Sequence, residues 1–277
     1  MEIMDIIKEA FIFPSQNLEK LAIYIVLTFI LGILILGGAV TGVLGVQNGT
    51  IYFIFTAILA ILALALAFII SGYQIGIIKS GIVLADDAPS FDWLNDLVTG
   101  IKMLVVSIVY FIIPAIIVAI IALITNIPGQ FMEIAKQAAL SPANATAVAN
   151  GTAPIVTISD AAAASLATSI AITAIIGFVL FIIFAFLNTM GNARLANTGS
   201  LAEAVNVVEA FKDITRIGTG KVIAVILLSV IIVLVINAIL GFIYGQISQL
   251  SILSVVITPY LMFFTQRVTG LLYSDIA

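Results

Sequence analysis

Few side chains in this 277-residue chain could do chemistry. With no cysteine and no histidine, disulfides, Cys/His zinc sites, c-type haem attachment and Cys or His catalysis are excluded. Neither a GxGxxG nor a GxxxxGK[ST] pattern occurs, so nucleotide binding has no support. Inside the long apolar runs the polar residues are amides and hydroxyls: Asn237, Asn188, Tyr110 and Tyr260, with Ser107 and Thr258. No Asp or Glu interrupts those runs. Ionisable groups in hydrocarbon are costly and persist where they do work, as in ion-coupled transporters and intramembrane proteases. An enzyme here would have only Ser, Tyr or surface carboxylates. The expectation is no catalysis, no metal and no cofactor.

The deep amides and hydroxyls have two readings. They hydrogen-bond across helices, worth roughly 0.6–2 kcal/mol each, or they line a polar path or head-group pocket. Three cations, Lys79, Arg194 and Arg267, stand at the ends of apolar runs. Such residues snorkel toward anionic lipid heads. A sharper expectation is one basic rim made by all three, contacting lipid phosphate or a partner. Asn48, Asn144 and Asn150 each open an Asn-X-Thr triplet, a possible glycosylation acceptor.

The elements that must position these groups follow from composition. Apolar residues make up 63% of the chain and charged residues 9%, with mean hydropathy +1.31. Soluble domains average about 45–50% and about 25%, so the solvent for most of this chain must be lipid. The expected fold is all-α, a single integral membrane domain over 1–277. Six spans are placed at about 21–46, 51–78, 101–125, 166–190, 221–246 and 252–272, each near the length that crosses a hydrocarbon layer. The first run is too long for the 7–15-residue apolar core of a secretory signal. A long loop at 126–165 would lie outside. A net charge of −4 leaves nucleic acid without a basic surface to bind. Membrane lipids, a membrane-protein partner or a second copy remain as partners.

Three amphipathic segments, 1–13, 90–99 and 201–217, would lie on the cytoplasmic side. In the first, Ile3, Ile6, Ile7, Ala10 and Phe11 oppose Glu2, Asp5, Lys8 and Glu9, and Pro14 ends the helix. In the second, Phe91, Leu94, Leu97, Val98 and Ile101 oppose Asp92, Asn95 and Asp96, with a break at Gly100 and the single Trp93 at the interface. In the third, a capping box at Ser200–Glu203 precedes a stripe of Leu201, Ala204, Val205, Val208, Phe211 and Thr215, opposite Asn206, Lys212, Asp213 and Arg216. Gly218 and Gly220 break that one. The Gly38/Gly42, Gly72/Gly76 and Gly241/Gly245 pairs have the spacing of close helix packing. Surface helix, break, span, external turn and returning span recur over roughly 1–78, 79–190 and 191–277, a parallel repeat.

With both termini inside, every Lys and Arg except Lys136 falls at or near the cytoplasmic side. All three acceptor asparagines then fall outside. The leading expectation is a scaffold, assembly partner or regulator in the cell membrane, with 90–99 and 201–217 as its contact surface. The alternative is a permease or lipid-handling protein with a path along Asn237, Asn188 and Tyr110.

The segments GYQIGIIKSG (72–81), SFDWLNDLVTGIKMLVVSIVYFIIP (90–114), EAFKDITRIGTGK (209–221) and PYLMFFTQRVTGLLY (259–273) resemble the domain of unknown function 4013 family. The likeness covers most of the chain outside the long loop. It implies an archaeal cell-membrane protein with no established activity, and it supplies no functional residues.

Overall fold

A backbone surrounded by hydrocarbon must satisfy its own N–H and C=O groups, so apolar runs of this length fold as helices even when rich in Val and Ile. The computed structural model describes residues 1–140 and 159–277, and no strand occurs among them. The helices are α1 (Ile3–Gln16), α2 (Leu18–Asn48), α3 (Thr50–Ile82), α4 (Trp93–Ile124), α5 (Ile127–Leu140), α6 (Asp160–Thr198), α7 (Leu201–Ala204), α8 (Val207–Ile217), α9 (Thr219–Gln246) and α10 (Ser254–Tyr273). A 3-10 turn, Ser248–Leu253, leads into α10. Six helices are long and apolar enough to cross a membrane: α2, α3, α4, α6, α9 and the stretch Ser248–Tyr273. This is an all-α, multi-pass membrane fold. Only 11% of the most apolar window of α2 is buried by the rest of the chain, so lipid must cover the remainder.

The chain divides into two compact units. One comprises Met1–Ile108 with Phe186–Ala277, the other Val109–Ala185. In the second, Phe111 stacks on Phe181 at 6.0 Å between ring centres. Gln130 donates to the Thr125 carbonyl and to Ser169 Oγ, both at 2.9 Å.

In the first unit, α2 and α3 form a hairpin hinged on one residue, Gly49, at φ +98°. That backbone conformation costs a side-chain-bearing residue strain, which glycine avoids. Gly38 and Gly42 face Leu59 and Thr56 of α3, as their spacing predicts. The Thr56 hydroxyl donates to that of Thr41 at 2.8 Å, across the pair.

Gly100 differs from expectation. It does not break a helix; α4 runs through it. A Cβ there would lie 1.9 Å from the Phe68 carbonyl oxygen, and one at Gly72 would lie 1.8 Å from that of Asp96. The two glycines let α3 and α4 cross backbone against backbone. Gly218 is a true break, with φ +106°. Gly241 and Gly245 meet no neighbour, so that pair is not a packing seam within the described chain.

Two further boundaries move. Pro14 sits inside the last turn of α1, which continues to Gln16. A proline lacks an N–H and is harmful mainly in a helix interior, where its ring displaces a hydrogen bond. The segment 201–217 is two helices rather than one. Ser200 Oγ accepts from Glu203 N at 3.4 Å to start α7, and Asn206 Oδ1 accepts from Glu209 N at 3.1 Å to start α8.

On two of the amphipathic segments the buried side includes a carboxylate. On α4, Asp96 is buried while Leu94, Val98 and Ile101 are exposed. On α8, Ala210, Asp213, Ile214 and Ile217 are buried, whereas Val208 and Phe211 are 64% and 60% exposed. On both helices the inward side is set by carboxylates that find partners there, Asp96 with the Asp92 amide and Asp213 with Arg194.

Candidate functional site

The polar side chains of the first unit gather where both chain ends meet: the Met1 ammonium donates to Asp275 Oδ1 at 3.1 Å. The first cluster centres on Arg267 of α10, only 1% exposed. Its Nη2 donates to Glu9 Oε1 of α1 at 2.5 Å, and its Nη1 donates to Ser80 Oγ of α3 at 3.3 Å. The guanidinium carbon lies 4.3 Å from the centre of the Phe13 ring, a cation–π contact. Glycine brings these helices together: a Cβ on Gly270 would lie 2.2 Å from the Ile78 carbonyl oxygen. Arg267 therefore joins α1, α3 and α10 through one group. Its buried Nε has no partner among the described residues.

A second cluster surrounds Arg194 of α6, which is 8% exposed. Nη1 donates to Asp213 Oδ2 at 2.8 Å and Nη2 to Glu203 Oε2 at 2.6 Å, while Nε donates to the Glu203 carbonyl at 3.0 Å. The Tyr273 hydroxyl donates to the same Asp213 oxygen at 3.0 Å, and Arg216 Nη1 donates to Asp213 Oδ1 at 3.0 Å. Asp213 thus holds α6, α8 and α10 together. Outside it, Lys212 donates to Glu209 at 2.6 Å and holds that carboxyl below its usual range.

Smaller ties complete the layer. Asn17 donates to the Phe13 and Asp86 carbonyls at 3.0 and 3.1 Å and accepts from Ala88 N at 2.7 Å, fixing the α3–α4 connection to the α1–α2 junction. Gln74 donates to the Tyr24 hydroxyl at 2.8 Å. Lys221 pairs with Asp275 and donates to the Met1 carbonyl at 2.6 Å. Burial pushes the Asp275 carboxyl up, but Lys221 and the amino terminus outweigh it and hold it below the usual carboxylate range.

The expected basic rim is not built as one surface. Arg194 and Arg267 are held by different internal carboxylates, and a guanidinium already paired in a buried site is not free to take a lipid phosphate. Lys79 alone of the three is exposed. With Lys102, Asn95, Asp96, Thr99 and Gly199 it lines a small cavity of about 160 Å³.

The deep amides separate as well. Asn237 is exposed and donates to the Val233 carbonyl of its own helix at 2.8 Å. Asn188 is half-buried, and its Oδ1 has no partner among the described residues. No hydrogen bond joins the two. Tyr110 is fully buried in the second unit. Tyr260 donates to the Phe11 carbonyl of α1 at 2.6 Å, so it belongs to the layer near the chain ends. Asn144 and Asn150 lie outside the described residues, as does the side chain of Asn48.

Sequence reading missed Glu9, Ser80, Glu203, Asp213, Tyr273 and Asn17 as partners. Asp213 carried one signal: it shares helical spacing with Ala210, Ile214 and Ile217. A carboxylate in such a stripe calls for a cation from another element. Nothing local names Arg194 as that cation.

A family model described as "Protein of unknown function (DUF4013)" matches residues 55–245. Neither the curated proteins nor the solved structures gave a match to the chain.

Proposed function

The chain belongs to the DUF4013 family of proteins of unknown function, and from that premise we propose a non-enzymatic scaffold, assembly partner or regulator. It would sit in the cell membrane, with both termini and the ion-paired layer in the cytoplasm. The observation that carries this reading is α8. Its inner side is bolted down by Asp213 to Arg194 and Tyr273, while Val208 and Phe211 stand exposed. A rigid helix with exposed apolar side chains is the arrangement a helix-docking partner needs. The buried cations support the same reading, since both are engaged in holding helices together rather than lining a route. The excess of Lys and Arg at this face supports the cytoplasmic orientation.

The test is purification of the full chain in mild detergent, followed by identification of what accompanies it. A stoichiometric protein that is lost from the Phe211→Glu variant, with the variant's unfolding temperature unchanged, is expected. Co-purification of a lipid or solute with no protein would favour the permease or lipid-handling alternative. That alternative rests on an open apolar groove of about 440 Å³ between α2 and α10, with Thr28, Gly32, Thr258 and Pro259 in its lining.

A further inference from the structure

We propose that the cavity between the C-terminal turn of α3, the start of α4 and the end of α6 is a site for a phosphate group. The inference is independent of whether α8 docks a protein. Lys79 and Lys102 line it, together with Asn95 and Thr99, residues whose side chains carry further hydrogen-bond donors. Neither lysine has a carboxylate within ion-pair distance among the described residues, unlike Arg194, Arg267, Lys212 and Lys221 at the same face. Lys102 Nζ uses one of its three donors on the Gly199 carbonyl at 2.8 Å, which fixes the ammonium at the cavity wall. Asp96 also lines the cavity, and its Oδ2 accepts from Asp92 N at 3.0 Å. Counting both lysines and Asp96, the lining keeps a positive excess. The volume is about 160 Å³. That suits a tetrahedral oxyanion and is well below the ~300–1,000 Å³ of sites for larger ligands.

Gly72 and Gly76 form part of the wall. Gly72 is also where α3 meets α4 at closest approach, so the cavity's position follows from the crossing itself. Basic pockets between membrane helices take phosphorylated lipid heads; a free phosphate compound has the same chemistry, and experiment separates the two sources.

The experiment uses the full chain in dodecyl maltoside, with native mass spectrometry to count adducts and thermal unfolding to measure affinity. Three probes are compared: phosphatidylglycerol, inorganic phosphate, and diacylglycerol as the phosphate-free control. One phosphatidylglycerol bound per chain is expected, weakened about fivefold in Lys79→Gln and restored in Lys79→Arg. Lys8→Gln, at an exposed lysine of α1 outside the cavity, should leave it unchanged. Saturable binding of inorganic phosphate without the lipid supports the site and assigns it to a soluble phosphate. Equal losses in the Lys79 and Lys8 variants, equal binding of diacylglycerol, or no saturable binding of either phosphate probe overturns the proposal. The Lys79 side chain makes no hydrogen bond among the described residues, and its backbone carbonyl, which accepts from Val83 N at 3.1 Å, is unaffected by substitution, so the variants retain the fold that the measurement needs.

Discussion

At the scale of single residues, the two buried arginines do opposite work to the one foreseen for them. A cation at the end of an apolar run ordinarily reaches for lipid head groups. Arg267 instead turns inward because α1 supplies Glu9, α3 supplies Ser80, and Phe13 offers its ring. Breaking a buried pair by removing one partner costs more than the pair contributes, since it strands a charge. Glu9→Gln is therefore expected to destabilise the protein by about 3 kcal/mol. The double variant Glu9→Leu/Arg267→Met should recover much of that loss, because no charge is left behind. Denaturation midpoints in one detergent measure both. A loss below about 0.5 kcal/mol in Glu9→Gln, the size of an exposed surface pair, would mean that Arg267 is hydrated. The identity of these partners was not legible beforehand. Glu9 and Arg267 are far apart in sequence, and local pattern carries no information about which distant groups a fold brings within 3 Å.

At the scale of the helices, six helices long and apolar enough to cross a membrane were readable from hydropathy and length. The cap at Ser200 and the break at Gly218 were readable from local chemistry. What pattern could not tell was which side of α4 and α8 faces in. Both helices carry an apolar stripe and a polar one, and the usual assignment presumes water outside. Gly100 was misread for a related reason. Glycine marks a break when φ is positive and a crossing when two backbones meet, and the residue letter is the same in both. The distinction makes a prediction. Gly72→Ala and Gly100→Ala would each place a methyl within 2 Å of a carbonyl oxygen of the facing helix. Each should abolish monodisperse protein in detergent. Gly241→Ala meets open space and should leave yield and unfolding temperature unchanged. Size-exclusion profiles separate the outcomes; a well-behaved Gly100→Ala variant would show that α3 and α4 do not cross there.

At the scale of the whole molecule, lipid covers the long helices while polar pairing concentrates where Met1 meets Asp275. That layer ties α1, α3, α6, α8 and α10 through a handful of charged groups, leaving Val208 and Phe211 of α8 available. The composition made the lipid-solvated class plain, and the distribution of lysine and arginine pointed to one side as cytoplasmic. Everything proposed for α8 depends on that side facing the cytosol. The absence of native cysteine makes the point directly measurable, because an introduced thiol reports alone. With a membrane-impermeant maleimide on intact cells, Ala161→Cys, exposed at the start of α6, should label fully. Ala277→Cys, exposed beside the chain ends, should label only after the cells are opened. Labelling of the Ala277 thiol from outside, with Ala161 protected, would contradict the orientation and with it the cytoplasmic role.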